Sequence, residues 1–183
     1  MSNVDKTDYL LKKDGSNFPF DVFQFDEPAD PDVPVDVNIA GASERRPIHR
    51  AAGANHVDII KYLIQKGATI DILDKSQRTA LHWAAISGHV QAGKALIEAG
   101  ANLFAVTSTK ATALHSACES GWVEFVDFII AAAGERKTEL FTSCDADGKR
   151  PLELAVAGKH SSVVARLRSS GDPNATSAAC SIS

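Results

Sequence analysis

Six histidines and three cysteines are the residues of this 183-residue chain best suited to metal or nucleophilic chemistry, and their spacing argues against both uses. His49, His82 and His115 follow one another at intervals of 33 residues, while His56, His89 and His160 share a second recurring position. No two stand at i, i+4 on one helix, the arrangement that aims two imidazoles at one zinc ion. Cys118, Cys144 and Cys180 are odd in number and lack C-x-x-C spacing, so neither a disulfide framework nor a zinc site is expected. A reducing compartment, cytoplasmic or nuclear, follows from that usage. Gly88-His89-Val90-Gln91-Ala92-Gly93-Lys94-Ala95 nearly spells a phosphate-binding loop. It places Ala95 where a Ser or Thr must hold magnesium, and it falls inside a helical pattern rather than after a buried strand. No Ser/His/Asp or Cys/His arrangement emerges. The chain reads as non-catalytic, with no metal and no cofactor.

One short segment does carry chemistry. Cys180-Ser181-Ile182-Ser183 has the C-a-a-X form of a farnesylation signal, and the polar SSGDPNATSAAC stretch before it would let a prenyltransferase reach the thiol. Ser181 is permitted but not aliphatic; the alternative is an inert tail. A single lipid chain gives only marginal membrane binding. Arg166 and Arg168 are the only nearby cations, so the expectation is a reversible tether at cytosolic membrane faces. No window approaches the roughly 18 apolar residues needed to cross a bilayer.

The elements that must position these residues follow from the same interval. Thr79-Ala80-Leu81-His82-Trp83-Ala84-Ala85 recurs as Thr112-Ala113-Leu114-His115-Ser116-Ala117-Cys118, and more loosely as Arg46-Pro47-Ile48-His49-Arg50-Ala51-Ala52 and Arg150-Pro151-Leu152-Glu153-Leu154-Ala155. A fixed period of this size is the mark of a solenoid. In the central unit Thr79 can cap a helix that runs to about Ser87, Gly88 can take the left-handed turn, and Val90 to Glu98 gives a second helix. Asn55 stands at the Gly88 position and suits the same turn. Two such short helices cannot bury their apolar faces alone, and small residues at 51, 52, 84, 85 and 117 suit close stacking of successive pairs. Cys118 takes one of these small buried positions, where a thiol is inert. The step from Leu114 to Leu152 is 38, which puts five extra residues near Ala133 to Thr138, lengthening a helix or bulging beyond it. Arg46 and Arg150 replace the capping Thr, Glu153 the His and Lys159 the helix-ending Gly, so repeat four looks like a terminal cap.

The T-x-L-H-x-A core, followed by G-H and then G-A, resembles the ankyrin repeat. The resemblance implies an all-α solenoid of four stacked helix pairs with β-hairpin fingers, at about 41–73, 74–106, 107–144 and 145–169, within a domain of 35–169. It implies that the histidines of the motif bond backbone across the fingers. It implies protein recognition by a monomer through the concave face formed by finger tips and inner helices. By register those positions are Arg45, Arg50, Gly53 and Ala54 in the first repeat and Lys75, Ser76, Arg78, Ile86 and Ser87 in the second. Ser108, Thr109, Ala111, Glu119 and Ser120 follow in the third, and Asp147 and Lys149 in the fourth. Thr79 to Ala85, by the same register, is scaffold. Arg45, Arg50, Lys75 and Arg78 make the early part of this face basic, which suits an acidic or mixed protein surface; the alternative is that the chain's own acidic arm folds back over that face and blocks it.

Charge and composition limit the alternatives. The net charge of −4 divides into −6 over residues 1–40 and +2 over the rest, so no basic stripe invites nucleic acid. The 1–34 extension opens with a candidate short helix at 4–13 and then sets Phe18, Phe20, Phe23 and Phe25 within eight residues. These aromatics are either a cap over the open end of the solenoid or a docking motif for a partner groove. Residues 26–36 carry three prolines and five acids and should be extended. Residues 170–183 form the tail.

Overall fold

The computed structural model describes residues 36–173. The candidate helix at 4–13, the four phenylalanines and the prenylation tetrapeptide at Cys180 all lie outside the described residues. Nine α-helices account for most of what is described: α1 (Pro47–Gly53), α2 (Val57–Gln65), α3 (Ala80–Ser87), α4 (Val90–Glu98), α5 (Ala113–Ser120), α6 (Val123–Ala133), α7 (Lys137–Thr142), α8 (Pro151–Ala157) and α9 (Ser161–Ser169). Four antiparallel pairs, α1/α2, α3/α4, α5/α6 and α8/α9, stack in two layers. α1, α3, α5 and α8 form an inner row, and α2, α4, α6 and α9 an outer row behind it.

Small side chains make the inner row tight. Ala51, Ala52, Ala84, Ala85, Ala117, Cys118 and Ala155 are all buried, and Ile48, Leu81, Leu114 and Leu152 fill the space behind them. Helices of seven or eight residues are too short to persist alone, so this inter-repeat burial is what holds them. Each inner helix begins with the same backbone cap. The amide of Arg46 donates to His49 Nδ1 (2.9 Å), that of Thr79 to His82 Nδ1 (3.2 Å), that of Thr112 to His115 Nδ1 (3.1 Å) and that of Arg150 to Glu153 Oε2 (2.8 Å). Glu153 therefore keeps the capping half of the histidine's task, as the third residue of a capping box does. The turn into each outer helix uses a positive φ at Asn55 (60°), Gly88 (73°), Gly121 (83°) and Lys159 (59°). Lys159 holds the left-handed turn without being glycine.

Two expectations change. The described residues contain no β-strand. Each finger is a tight turn closed by two or three backbone bonds. The five extra residues do two things at once: α6 runs two residues longer than α4, and a 3-10 turn at Gly134–Arg136 then leads into α7. α7 buries Leu140 and Phe141 completely.

Candidate protein-interaction face

The fingers are fixed from within. The amide of Gly41 donates to the Arg45 carbonyl (2.8 Å), Asp74 to Arg78 (3.0 Å), Thr107 to Ala111 (3.0 Å) and Asp145 to Lys149 (2.9 Å). The opening side chain braces the turn: Asp74 Oδ1 accepts the amides of Ser76 (2.8 Å) and Arg78 (2.9 Å), and Asp145 Oδ1 those of Asp147 (3.0 Å) and Lys149 (2.8 Å). Successive fingers are joined tip to tip by Lys75 N–H to Ser43 O (3.0 Å), Ser108 N–H to Ser76 O (3.1 Å) and Ala146 N–H to Thr109 O (2.8 Å). This ladder spends backbone groups and leaves side chains outward. Lys75, Ser108, Thr109, Asp147 and Lys149 are exposed, and Ser76 is half-buried.

Below the tips, the inner helices contribute a second tier. Arg50 is exposed on α1, Ile86 and Ser87 are half-buried at the end of α3, and Glu119 and Ser120 are exposed and half-buried at the end of α5. The structure brings Arg45 and Arg78 together over a residue the register had assigned to the scaffold. The guanidinium of Arg45 lies 4.0 Å from the centroid of the Trp83 ring and that of Arg78 lies 5.2 Å from it. The indole Nε1–H donates to Asp74 Oδ2 (3.1 Å), which pins the ring to its own finger. Gly53 of α1 leaves room beside it, since a Cβ there would come 3.9 Å from Trp83 Cβ. Trp83 is thus part of the face, a correction to the reading of 79–85. Its position recurs as Arg50, Trp83, Ser116 and Leu154, and a large aromatic in a series otherwise so mixed was the available signal.

The histidines are structural. His49 Nε2 meets the Ile72 carbonyl (2.9 Å) and His82 Nε2 the Ala111 carbonyl (3.2 Å), while each Nδ1 accepts an amide. That pattern fixes the neutral ring with its proton on Nε2. Burial, only partly offset by neighbouring carbonyls, lowers the pKa of His49 and His115 and takes His82 to about 4. His115 Nε2 is buried without a hydrogen bond. The second histidine position acts between repeats: His160 Nε2 meets the Glu119 carbonyl (2.8 Å), and Trp122, at the same position in its repeat, donates its indole N–H to Ile86 O (2.8 Å). A Cβ on Gly88 would lie 2.5 Å from the Trp122 ring, and one on Gly121 would lie 2.5 Å from the His160 ring. The indole and the imidazole are therefore laid on the glycine turn of the preceding repeat. Burial raises the Cys118 thiol pKa, as an inert core sulfur requires. Gly93 sits within α4, where a Cβ would meet Phe128 at 2.9 Å and Phe125 at 3.0 Å, so it permits close packing against α6 and belongs to no phosphate loop.

Comparison with known proteins agrees with this architecture. The family model described as ankyrin repeats (three copies) matches residues 22–107 and 94–177. Alpha-latrocrustotoxin-Lt1a of Latrodectus tredecimguttatus is 46% identical over 37 residues, which is 20% of this chain and 3% of that protein. The chain thus spans a small fraction of that relative's length. That family model covers most of the chain, and the helix pairs are consistent with a helical solenoid: the chain belongs to the ankyrin repeat family.

Proposed function

We propose that the chain is a non-catalytic adaptor that binds a protein partner on the face made by the finger tips and inner-helix ends. Ankyrin repeats suggest a role in protein–protein interaction and are typically non-enzymatic. The observation that supports this face in particular is the tip-to-tip ladder, which holds side chains from four successive repeats on one preorganised surface. Preorganisation lowers the ordering cost of binding. Arg45, Arg50, Lys75, Ser76, Arg78, Ile86, Ser87, Ser108, Thr109, Glu119, Ser120, Asp147 and Lys149 are the proposed contacts, with Trp83 added. A photo-crosslinking amino acid placed at Ser76, Thr109 or Glu119 should capture the partner in cells, whereas one at Gln91 or Lys94 on α4 should not. Equal capture from α4 would overturn the assignment.

A farnesyl thioether at Cys180, giving reversible attachment to cytosolic membrane surfaces, is a separate proposal supported by the tetrapeptide Cys180-Ser181-Ile182-Ser183 alone. No helix of the described residues is long and apolar enough to cross a membrane. Intact-mass analysis of protein from its native cells decides it: an unmodified thiol with Ile182 and Ser183 retained would overturn the tether.

A further inference from the structure

We infer that Arg45, Trp83 and Arg78 form a carboxylate-binding subsite for an acidic segment of the protein partner, an inference that rests on the finger face being the binding face. Two guanidinium groups share one indole, at 4.0 and 5.2 Å from its centroid. Two positive charges gathered around one ring favour a counter-anion. Among the described residues no carboxylate forms an ion pair with either guanidinium. The ion pairs of the described residues are Arg136–Glu139, Arg150–Glu153 and Arg166–Asp127, and none involves Arg45 or Arg78.

Asp74 is the acid at the base of this finger, and it is committed elsewhere. Its Oδ1 accepts two backbone amides and its Oδ2 accepts the Trp83 indole, with the residue itself only 5% exposed. It orients the ring and leaves the guanidinium edges unpaired. Arg45 Nε is buried without a hydrogen bond. The end of the guanidinium, its two Nη groups, is then the part of Arg45 left to take a carboxylate with two parallel bonds.

The arrangement also has a place along the solenoid. The finger position that holds Arg45 and Arg78 holds Ala111 in the third repeat, and the position of Trp83 holds Ser116 there. Lys149 returns a cation at that position in the fourth repeat and Lys110 is exposed in the third finger, but neither has a tryptophan at the Trp83 position, so the guanidinium–indole arrangement is confined to the first two repeats. Exposed Arg50 adds a cation there. The occupant is therefore an acidic peptide segment lying across repeats one and two.

The test uses the full-length protein, labelled with nitrogen-15, whose two tryptophan indole signals are assigned by Trp83→Phe. It is titrated at low ionic strength with a Glu-rich Gly/Ser peptide, the same peptide carrying Gln for Glu, and the same peptide carrying phosphoserine for Glu. The Glu peptide should shift the Trp83 indole resonance, and Arg45→Gln and Arg78→Gln should each weaken its binding by about tenfold, the loss of one charge-assisted pair. Arg78→Lys, which keeps the charge and loses the fork, should weaken it less. Equal binding of the Gln peptide, unchanged affinity in both Gln variants, or no shift at millimolar peptide would overturn the subsite. A response to the phosphoserine peptide alone would also overturn it, reassigning the site to phosphate. Shifts at the Ser108 and Thr109 amides without any at Trp83 would leave the finger face standing and remove only the subsite. Retained dispersion of the amide spectrum in each variant excludes unfolding as the cause.

Discussion

His82 illustrates how a single residue can serve both a helix and its neighbour. Its Nδ1 accepts the Thr79 amide at the start of α3, and its Nε2 donates to the Ala111 carbonyl in the next finger. Protonation would put a hydrogen on Nδ1 facing that amide, so the charged ring loses the cap as well as its hydration. Burial takes the pKa from 6.5 to about 4 in the folded chain. Between those values the unfolded chain binds the proton and the folded chain does not, so stability is complete above about pH 6.5 and declines as pH falls towards 4. The gap corresponds to about 3 kcal/mol for His82, with further loss from His49 and His115, whose values are lowered in the same direction. Urea midpoints compared at pH 7 and pH 4.5 should show the drop, and His82→Gln should flatten the profile. An identical slope in that variant would contradict the assignment. The 33-residue interval marks the motif histidines and the ankyrin resemblance implies their bridging bond, but their capping of the inner helices was not legible, since by type Thr79 is the expected cap. Nor was Trp83, because register alone says which positions repeat and not which of them a neighbouring arginine reaches. Trp122 was missed for a related reason: it occupies the position of His56, His89 and His160 without sharing their type.

At the scale of elements, α7 is the feature that departs most from the repeat. The 38-residue step located the extra residues, but the sequence interval could not show that they would lead into a further helix and bury two side chains. Leu140 and Phe141 are fully buried, and α7 packs against both α6 and α8. Phe141→Ala should therefore cost about 3 to 5 kcal/mol in denaturant unfolding, as loss of a core phenylalanine does. A cost under about 1 kcal/mol would mean that the element is an ornament on the surface. The junction at Gly93 makes the opposite demand. A methyl there would press on Phe128 and Phe125, so Gly93→Ala should destabilise by about 1 to 3 kcal/mol despite alanine's better helix propensity. A thermal midpoint raised by the substitution would refute the packing argument.

Over the whole described solenoid, stability is the sum of weak units and the interfaces between them. α3/α4 and α5/α6 have stacked neighbours on both sides, whereas α9 packs on α8 and α6 from one side only. Amide exchange under native conditions should accordingly release α9 before α4 and α6, a gradient that mass spectrometry can follow. Uniform protection from Val57 to Ser169 would show a single cooperative block instead. The ordering of the repeats was readable from sequence, since identical spacing dictates identical neighbours. The strength of each interface was not, because it depends on pairs such as Asp127 with Arg166 that join residues of different repeats.

The outer loops mark where that regularity stops. Thr69 donates its amide to Asn38 Oδ1 (2.9 Å), and Asn102 donates its amide to Asp71 Oδ1 (3.1 Å), one repeat further on. The third rung would fall at Phe104, which accepts no such bond and instead lies under the guanidinium of Arg136, 3.9 Å from its ring centroid. Upstream of this point the chain is assembled from interchangeable cassettes. A copied 33-residue module spliced between Leu73 and Asp74 would meet the same rungs on either side and lengthen the array in phase. The same module spliced at Cys144 would still face α5 and α6 as α8 and α9 do, but its outer loop would meet Phe104 and Arg136 in place of a rung.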